Sequence, residues 1–421
     1  MTIINKKDKR NLISNFSYLL IVQIFTYILP LITFPYLVRV LGSDRFGLVV
    51  FAQSIMVFFN LITDYGFNLS ATRSIAVCKG DKNKITEIFS SVLIIKFFLV
   101  IFSLLLIFIG TSFIDRFSQD KEVYYFSFLW VIGQCFFPIW YFQGVEQMKY
   151  ITYINLLSKI VFTLLIFIFV SDGSDYYIVP ILNGIGAILG SVASFYILIR
   201  CFHQYFVWQS LNTIKSYLLD STQYFLSRIS VSLYTSINTI VLGLYTNNIM
   251  VGYYSIAEKL YQAIQAMYSP LVQILYPYIS KTKNILVLRN IIIATLPIFL
   301  LGIGGLYVFS SEILVFIFDK SIHEDTIVVF HILLISAVVT FVSSLIGYPL
   351  LGALGYSSYI NRWIIYASIF HCASLCLLIL LGHISIYSIS FIVCLTELFI
   401  FISRVYLLLK NRIMAYKNFM R

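Results

Sequence analysis

The stretch Thr86–Ile114, "TEIFSSVLIIKFFLVIFSLLLIFIGTSFI", decides the fold. It is apolar for long enough to cross a bilayer, because about twenty such residues span the hydrocarbon core as a helix. Comparable runs recur from end to end, at roughly 12–38, 46–68, 123–145, 149–170, 177–199, 218–244, 250–275, 288–313, 326–351, 359–382 and 385–409. The composition agrees. Of 421 residues 60% are hydrophobic and only 11% charged, against about 25% charged in a soluble domain. The expected fold is an all-α integral membrane protein of about 12 transmembrane helices.

The net charge of +11 is distributed by topology. Lys6, Lys7, Lys9 and Arg10 open the chain, Lys79, Lys82 and Lys84 follow the second run, and Lys281 and Lys283 follow the eighth. Lys410, Arg412, Lys417 and Arg421 close it, whereas the opposite side holds only Arg39, Arg45, Arg116, Lys121 and Lys320. The positive-inside rule then puts both termini in the cytoplasm. The basic excess is accounted for, and no nucleic-acid partner is implied. The basic head and first apolar run read as a retained span rather than a cleaved signal. No cysteine falls in a loop placed outside, so no disulfide framework is expected.

The connections are short, and the widest polar gap, 201–217, divides the chain near its middle. The expected organisation is an N-terminal six-helix bundle over 1–200, a cytoplasmic connector over 201–217 and a C-terminal six-helix bundle over 218–421. The halves carry a weak likeness. Aligning Gly47 in "VLGSDRFGLVVFAQS" on Gly252 in "LYTNNIMVGYYSIAEK" also places Ala52 on Ala257. Paired halves with a site between them are common in transporters. All eight prolines lie in or beside apolar runs, as membrane helices tolerate. Gly186 and Gly190, four apart in "GIGAILGS", suit close helix packing.

Some spans are polar along one face. Wound as a helix, 220–244 gathers Asp220, Gln223, Ser227, Ser230, Tyr234 and Asn238 opposite an apolar stripe, with Arg228 and Thr235 beside them. The run from 250 does the same with Ser255, Glu258, Gln262, Gln265, Ser269 and Gln273, Lys259 adjoining. In the second run Gln53, Asn60, Asp64 and Asn68 share a face. Such faces need protein or water, and three of them suggest a hydrated central cavity.

Arg228 and Lys259 come out ~13–15 Å from their span's start, near mid-membrane, with Lys96 and Lys159 at similar depth. Cations there are rare and usually functional. Internal pairing stays open, for instance of Lys259 or Arg228 with Glu258 or Asp64. Lys96, with no polar neighbours in "VLIIKFFLV", reads as paired or snorkelling. Cations among amides and hydroxyls suit an anionic, hydroxyl-rich substrate.

No phosphate-cradling Gly-rich loop with Lys occurs, so no ATPase is expected. His203, His323, His331, His371 and His383 are scattered without metal-ligand spacing and read as packing or interfacial residues. No catalytic constellation, cofactor or metal is expected. The chain reads as a transporter and not an enzyme.

The block Ile28–Ala76, "ILPLITFPYLVRVLGSDRFGLVVFAQSIMVFFNLITDYGFNLSATRSIA", resembles the first two spans of the Wzx-type O-antigen flippases. These form part of the polysaccharide-transporter branch of the multidrug/oligosaccharidyl-lipid/polysaccharide exporter superfamily. "FFPIWYFQGVEQMKYITYINLLSK" (Phe136–Lys159), "SPLVQILYPYISK" and "LIGYPLLGALGY" resemble later spans of the same family. The resemblance implies two six-helix bundles around a cavity that opens to each side in turn. It implies transfer of an undecaprenyl-pyrophosphate-linked repeat unit from the cytoplasmic to the periplasmic leaflet of a bacterial inner membrane.

On that footing Arg228 and Lys259 are the expected contacts of pyrophosphate or acidic sugars, and Gln223, Asn238, Gln262 and Gln265 those of the glycan. Asp64 and Glu258 are candidates for coupling to a proton or cation, and Arg73 and Arg45 for gating or topology at span ends. The expected partners are the lipid-linked oligosaccharide and membrane lipid, with an O-antigen polymerase and a chain-length regulator as further candidates. A multidrug exporter of the same superfamily and a membrane glycan polymerase are the alternative readings.

Overall fold

The computed structural model describes residues 6–78, 80–318 and 322–410, with no β-strand among them. Lys79, Lys320 and the basic residues from Arg412 onward lie outside the described residues, as do the side chains of Ser227, Ser230, Tyr234 and Thr235.

Helix α1, Lys6–Asp64, joins the first two apolar runs across a break at Gly42. That residue has φ of 71°, in the left-handed region where a side chain is strained and glycine is not. There follow α2 (Phe67–Val77), α3 (Lys82–Phe113), α4 (Asp115–Ser118), α5 (Lys121–Phe136), α6 (Ile139–Gly144), α7 (Met148–Phe169) and α8 (Ile178–Phe202). A non-helical stretch, 203–210, leads to α9 (Leu211–Tyr245) and α10 (Asn248–Thr282). The chain continues through α11 (Ile285–Val308), α12 (Ser310–Phe318), α13 (Glu324–Leu345), α14 (Ser357–Leu381) and α15 (Ile386–Lys410).

Among the described residues nine helices are long and apolar enough to cross a membrane. The first two runs merge into one broken segment, Leu29–Val77, and α10 does not qualify. Several α9 side chains between Ser227 and Thr235 lie outside the described residues, so only its end, Ser236–Tyr245, enters that count, as a shorter apolar helix. Those two helices carry the polar faces. The chain is a multi-pass, all-helical membrane protein.

The helices pack as two units, Met1–Thr33 with Leu48–Ser232, and Phe34–Gly47 with Leu233–Arg421. In unit one, Phe67, Ile75, Phe89, Trp140, Phe142 and Leu198 form a buried aromatic core. Pro138 ends α5 there, since it lacks the donor that would continue the helix. The close packing of α5 on α8 relies on glycines. A Cβ on Gly133 would lie 2.5 Å from Ala187, and one on Gly184 2.4 Å from Leu129. The expected pair Gly186 and Gly190 serves the neighbouring face, against Ser158 of α7. One short sequence thus packs α8 on two partners.

Unit two has its own core around Tyr268, Leu275, Phe341, Leu345 and Leu350, with Phe299 stacked on Phe341 at 4.2 Å. A π-helical turn, Ile346–Gly352, contains Pro349 and a distorted Gly347. Arg404 of α15 secures the end of α13 just before it, donating to the Ser343 carbonyl at 2.6 Å and hydroxyl at 2.7 Å.

Candidate functional site

In unit one the polar face of α9 is built against the end of α1 and the start of α2. Tyr65 and Gly66 both have positive φ, 47° and 80°, so α1 stops at Asp64. The polar face expected to run from Gln53 to Asn68 is therefore interrupted after Asp64. Side chains spaced one helical turn apart on α9 meet this corner. Ser221 hydrogen-bonds Ser70 at 2.7 Å, Thr222 hydrogen-bonds Tyr65 at 3.1 Å, and Phe225 stacks on Tyr65 at 4.6 Å. Arg73 donates to the Tyr224 hydroxyl at 3.3 Å. Gly66 admits the α9 backbone, for a Cβ there would stand 2.8 Å from the Phe225 nitrogen.

One turn further along α9, Arg228 reaches Asp64. Its Nη1 lies 3.6 Å from Oδ2, and Lys96 Nζ lies 3.7 Å from Oδ1 of the same carboxylate. The side chains of Lys96 and Asp64 are 2% and 8% exposed, while that of Arg228 is 45% exposed. Asp64 is the last residue of α1, where the helix dipole disfavours a negative charge, so two cations gather around it. Lys96 also donates to the Cys135 carbonyl at 3.0 Å. Lys159, the remaining mid-span cation of this unit, donates to Thr26 Oγ1 at 2.5 Å. Gln223 is exposed on α9.

In unit two a cavity of about 120 Å³ is lined by Asn238, Glu258, Gln262, Gln265, His371 and Glu397, with Tyr254, Tyr261 and Thr396 also in its wall. His371 is fully buried and bridges two helices, with Nδ1 2.8 Å from the Thr396 hydroxyl and Nε2 2.9 Å from Asn238 Oδ1. Glu258 Oε2 accepts from Thr239 at 3.4 Å. Tyr261 is hydrogen-bonded to Ser336 at 3.3 Å and Thr340 at 3.2 Å. Lys259, next to Glu258 in sequence, turns instead to Gln262 Oε1 at 3.3 Å and lies over the Phe34 ring at 5.6 Å. Among the described residues neither Glu258 nor Glu397 has a Lys or Arg within ion-pair distance. Arg45 of this unit is exposed.

The expected site residues thus fall into two groups. Asp64, Arg73, Gln223 and Arg228 belong to unit one, while Arg45, Asn238, Glu258, Lys259, Gln262 and Gln265 belong to unit two. The sequence reading gave His371 as a packing residue, as its full burial fits, and did not single out Glu397. For Glu397 the signal existed, since an acid inside the apolar run "CLTELFIF" stands out as Arg228 does. No group of three or more His, Cys, Asp or Glu among the described residues is placed to hold a metal ion.

Residues 12–283 match the family described as "Polysaccharide biosynthesis protein". Over 304 residues, 71% of this chain and 72% of the relative, the sequence is 32% identical to a candidate O-antigen transporter of Escherichia coli (strain K12). Among solved structures, the fold is similar to the lipid II flippase MurJ in an inward closed conformation. That likeness has a TM-score of 0.70 at 16% identity and covers 93% of this chain and 87% of that one. An inward-facing multidrug resistance transporter of the MATE family, in the MOP superfamily, is similar with a TM-score of 0.68 at 14% identity, covering 96% and 100%. At such identities these two likenesses are of fold alone. The family match agrees with the resemblance read from Ile28–Ala76 and Phe136–Lys159.

Proposed function

This chain belongs to the polysaccharide biosynthesis protein family, and from that premise we propose that it is a flippase for lipid-linked polysaccharide repeat units. Its substrate in this reading is an undecaprenyl-pyrophosphate-linked O-antigen unit. It moves that unit from the cytoplasmic to the periplasmic leaflet of a bacterial inner membrane by alternating access, with both termini in the cytoplasm.

The observation that carries this reading is Arg228. It is a cation within a span, side chain 45% exposed, at a distance from its carboxylate longer than a charge-assisted hydrogen bond. A guanidinium so held can offer its planar donors to phosphate oxygens. Gln223, exposed on the same helix, and Gln262 and Gln265 on the unit-two wall supply amides for sugar hydroxyls. Asn238 acts in this scheme through His371, and Lys259 as a second contact for acidic groups. Glu258 is the coupling candidate, being a carboxylate without a paired cation among the described residues.

The unit-two cavity has what a cationic drug would seek, carboxylates beside tyrosines. Its ~120 Å³ is small against the roughly 300–1,000 Å³ of ligand pockets, which favours a coupling ion or water over a drug there.

Complementation tests the function. The chain is expressed in a strain lacking its own O-antigen flippase and supplied with matched biosynthetic genes, and long-chain lipopolysaccharide is measured. Restoration by the wild type, with loss on Arg228→Ala at unchanged membrane abundance, is the expected result. No restoration despite membrane expression and matched substrate returns the chain to the multidrug reading.

A further inference from the structure

Asp64 has two cations, and they differ in kind. Lys96 is 2% exposed and fixed by the Cys135 carbonyl at 3.0 Å, and its ammonium stands 3.7 Å from Asp64 Oδ1. That oxygen has no hydrogen-bond partner, so the Lys96 charge is what compensates its burial. Arg228 faces the other oxygen at 3.6 Å with 45% of its side chain exposed. Of the three charged groups, it is the one an incoming molecule can reach.

We infer that Lys96 is a positioning residue: it serves as the permanent counter-ion of Asp64, so that Arg228 can pass to a phosphate-bearing ligand without stranding a buried carboxylate. This rests on the proposed role of Arg228. With one fixed and one movable cation on a single acid, the cluster has a net positive charge. A phosphate oxygen at Arg228 neutralises it while Lys96 stays on Asp64. If Lys96 were absent, Arg228 would be the sole compensation for a buried carboxylate and would be held there. Lys96 acts on the ligand only through Asp64. Asp64 in turn competes with the ligand for Arg228, and that competition must appear in both affinities.

The test uses the purified full-length chain in detergent, titrated calorimetrically with inorganic pyrophosphate. Lys96→Met should weaken binding about tenfold, and Lys96→Arg should retain it. The double variant Lys96→Met with Asp64→Asn should recover to within about threefold of the wild type, because Arg228 is free again. Unchanged binding in Lys96→Met overturns the inference, as does a double variant no better than Lys96→Met. Should Lys96→Met fail to fold, Asp64→Asn alone decides. Tighter binding supports the competition, and equal or weaker binding refutes it. Arg228→Ala reports separately on the underlying reading. If it binds pyrophosphate as the wild type does, the Arg228 assignment falls, and the role of Lys96 falls with it.

Discussion

Gly47 of α1 and Gly252 of α10 lie against each other's helices with room for a side chain on neither. A Cβ on Gly47 would sit 1.8 Å from the Asn248 carbonyl oxygen and 2.8 Å from the Gly252 nitrogen, and one on Gly252 would sit 2.4 Å from the Ser43 oxygen. These are the two glycines that the sequence aligned as equivalent points of the halves. Each permits the other's approach. Gly47→Ala and Gly252→Ala should each destabilise the protein by about 2–3 kcal/mol or more, because the obstacle is backbone that cannot rotate away. Thermal unfolding in detergent checks this, with Gly304→Ala as control. No atom lies within 4 Å of a Cβ at Gly304, which lies inside α11, so Gly304→Ala should be neutral or stabilise by up to about 1 kcal/mol.

The buried bridge from Asn238 through His371 to Thr396 makes a second prediction. Asn238→Leu leaves the buried His371 Nε2 without its partner, a loss of about 1–3 kcal/mol. Thr396→Val does the same to Nδ1. A double-mutant cycle between the two positions should give a coupling of about 0.5 kcal/mol or more. Strict additivity would mean that the three side chains do not act as one network.

Glu258→Gln should move stability and transport in opposite directions, and Glu397→Gln should share its effect on stability. Neither acid has a cation at ion-pair distance among the described residues, so neutralising it removes a burial penalty and should raise the unfolding temperature. If Glu258 couples transport to an ion gradient, Glu258→Gln should reduce long-chain lipopolysaccharide by about tenfold or more in the complementation assay. Full activity in Glu258→Gln assigns coupling elsewhere.

Arg404 ties α15 to the end of α13 through two short bonds to Ser343. Arg404→Ala should destabilise by about 1.5–3 kcal/mol, the usual size for hydrogen bonds to a charged group. Ser343→Ala removes only the hydroxyl acceptor and should have the smaller effect on thermal unfolding.

What could be read from the sequence were properties of single helices: apolar length, the polar faces of α9 and α10, and prolines inside spans such as Pro270 and Pro297. Periodicity reveals which side of a helix is polar and not what it meets. Lys96 shows the limit. In "VLIIKFFLV" it has no polar neighbour, since its partners, Asp64 and the Cys135 carbonyl, come from other helices. The packing role of His371 is legible in the sequence, but its partners are not, because they lie on α9 and α15. The turn at Tyr65 and Gly66, which stops α1 at Asp64, was also hidden, because a tyrosine rarely takes positive φ.

The polarity of α9 and α10 bears on how the chain is made. A segment as polar as either has little affinity of its own for hydrocarbon, so the insertion machinery has scant reason to release it sideways into lipid. The first half of α9 finds its polar partners on Tyr65, Ser70 and Asp64, all translated earlier. Synthesis order is therefore part of the design. The N-terminal helices must already be in the bilayer to receive α9, and a chain begun at Leu211 should stall in the aqueous phase or be degraded rather than settle as an independent half.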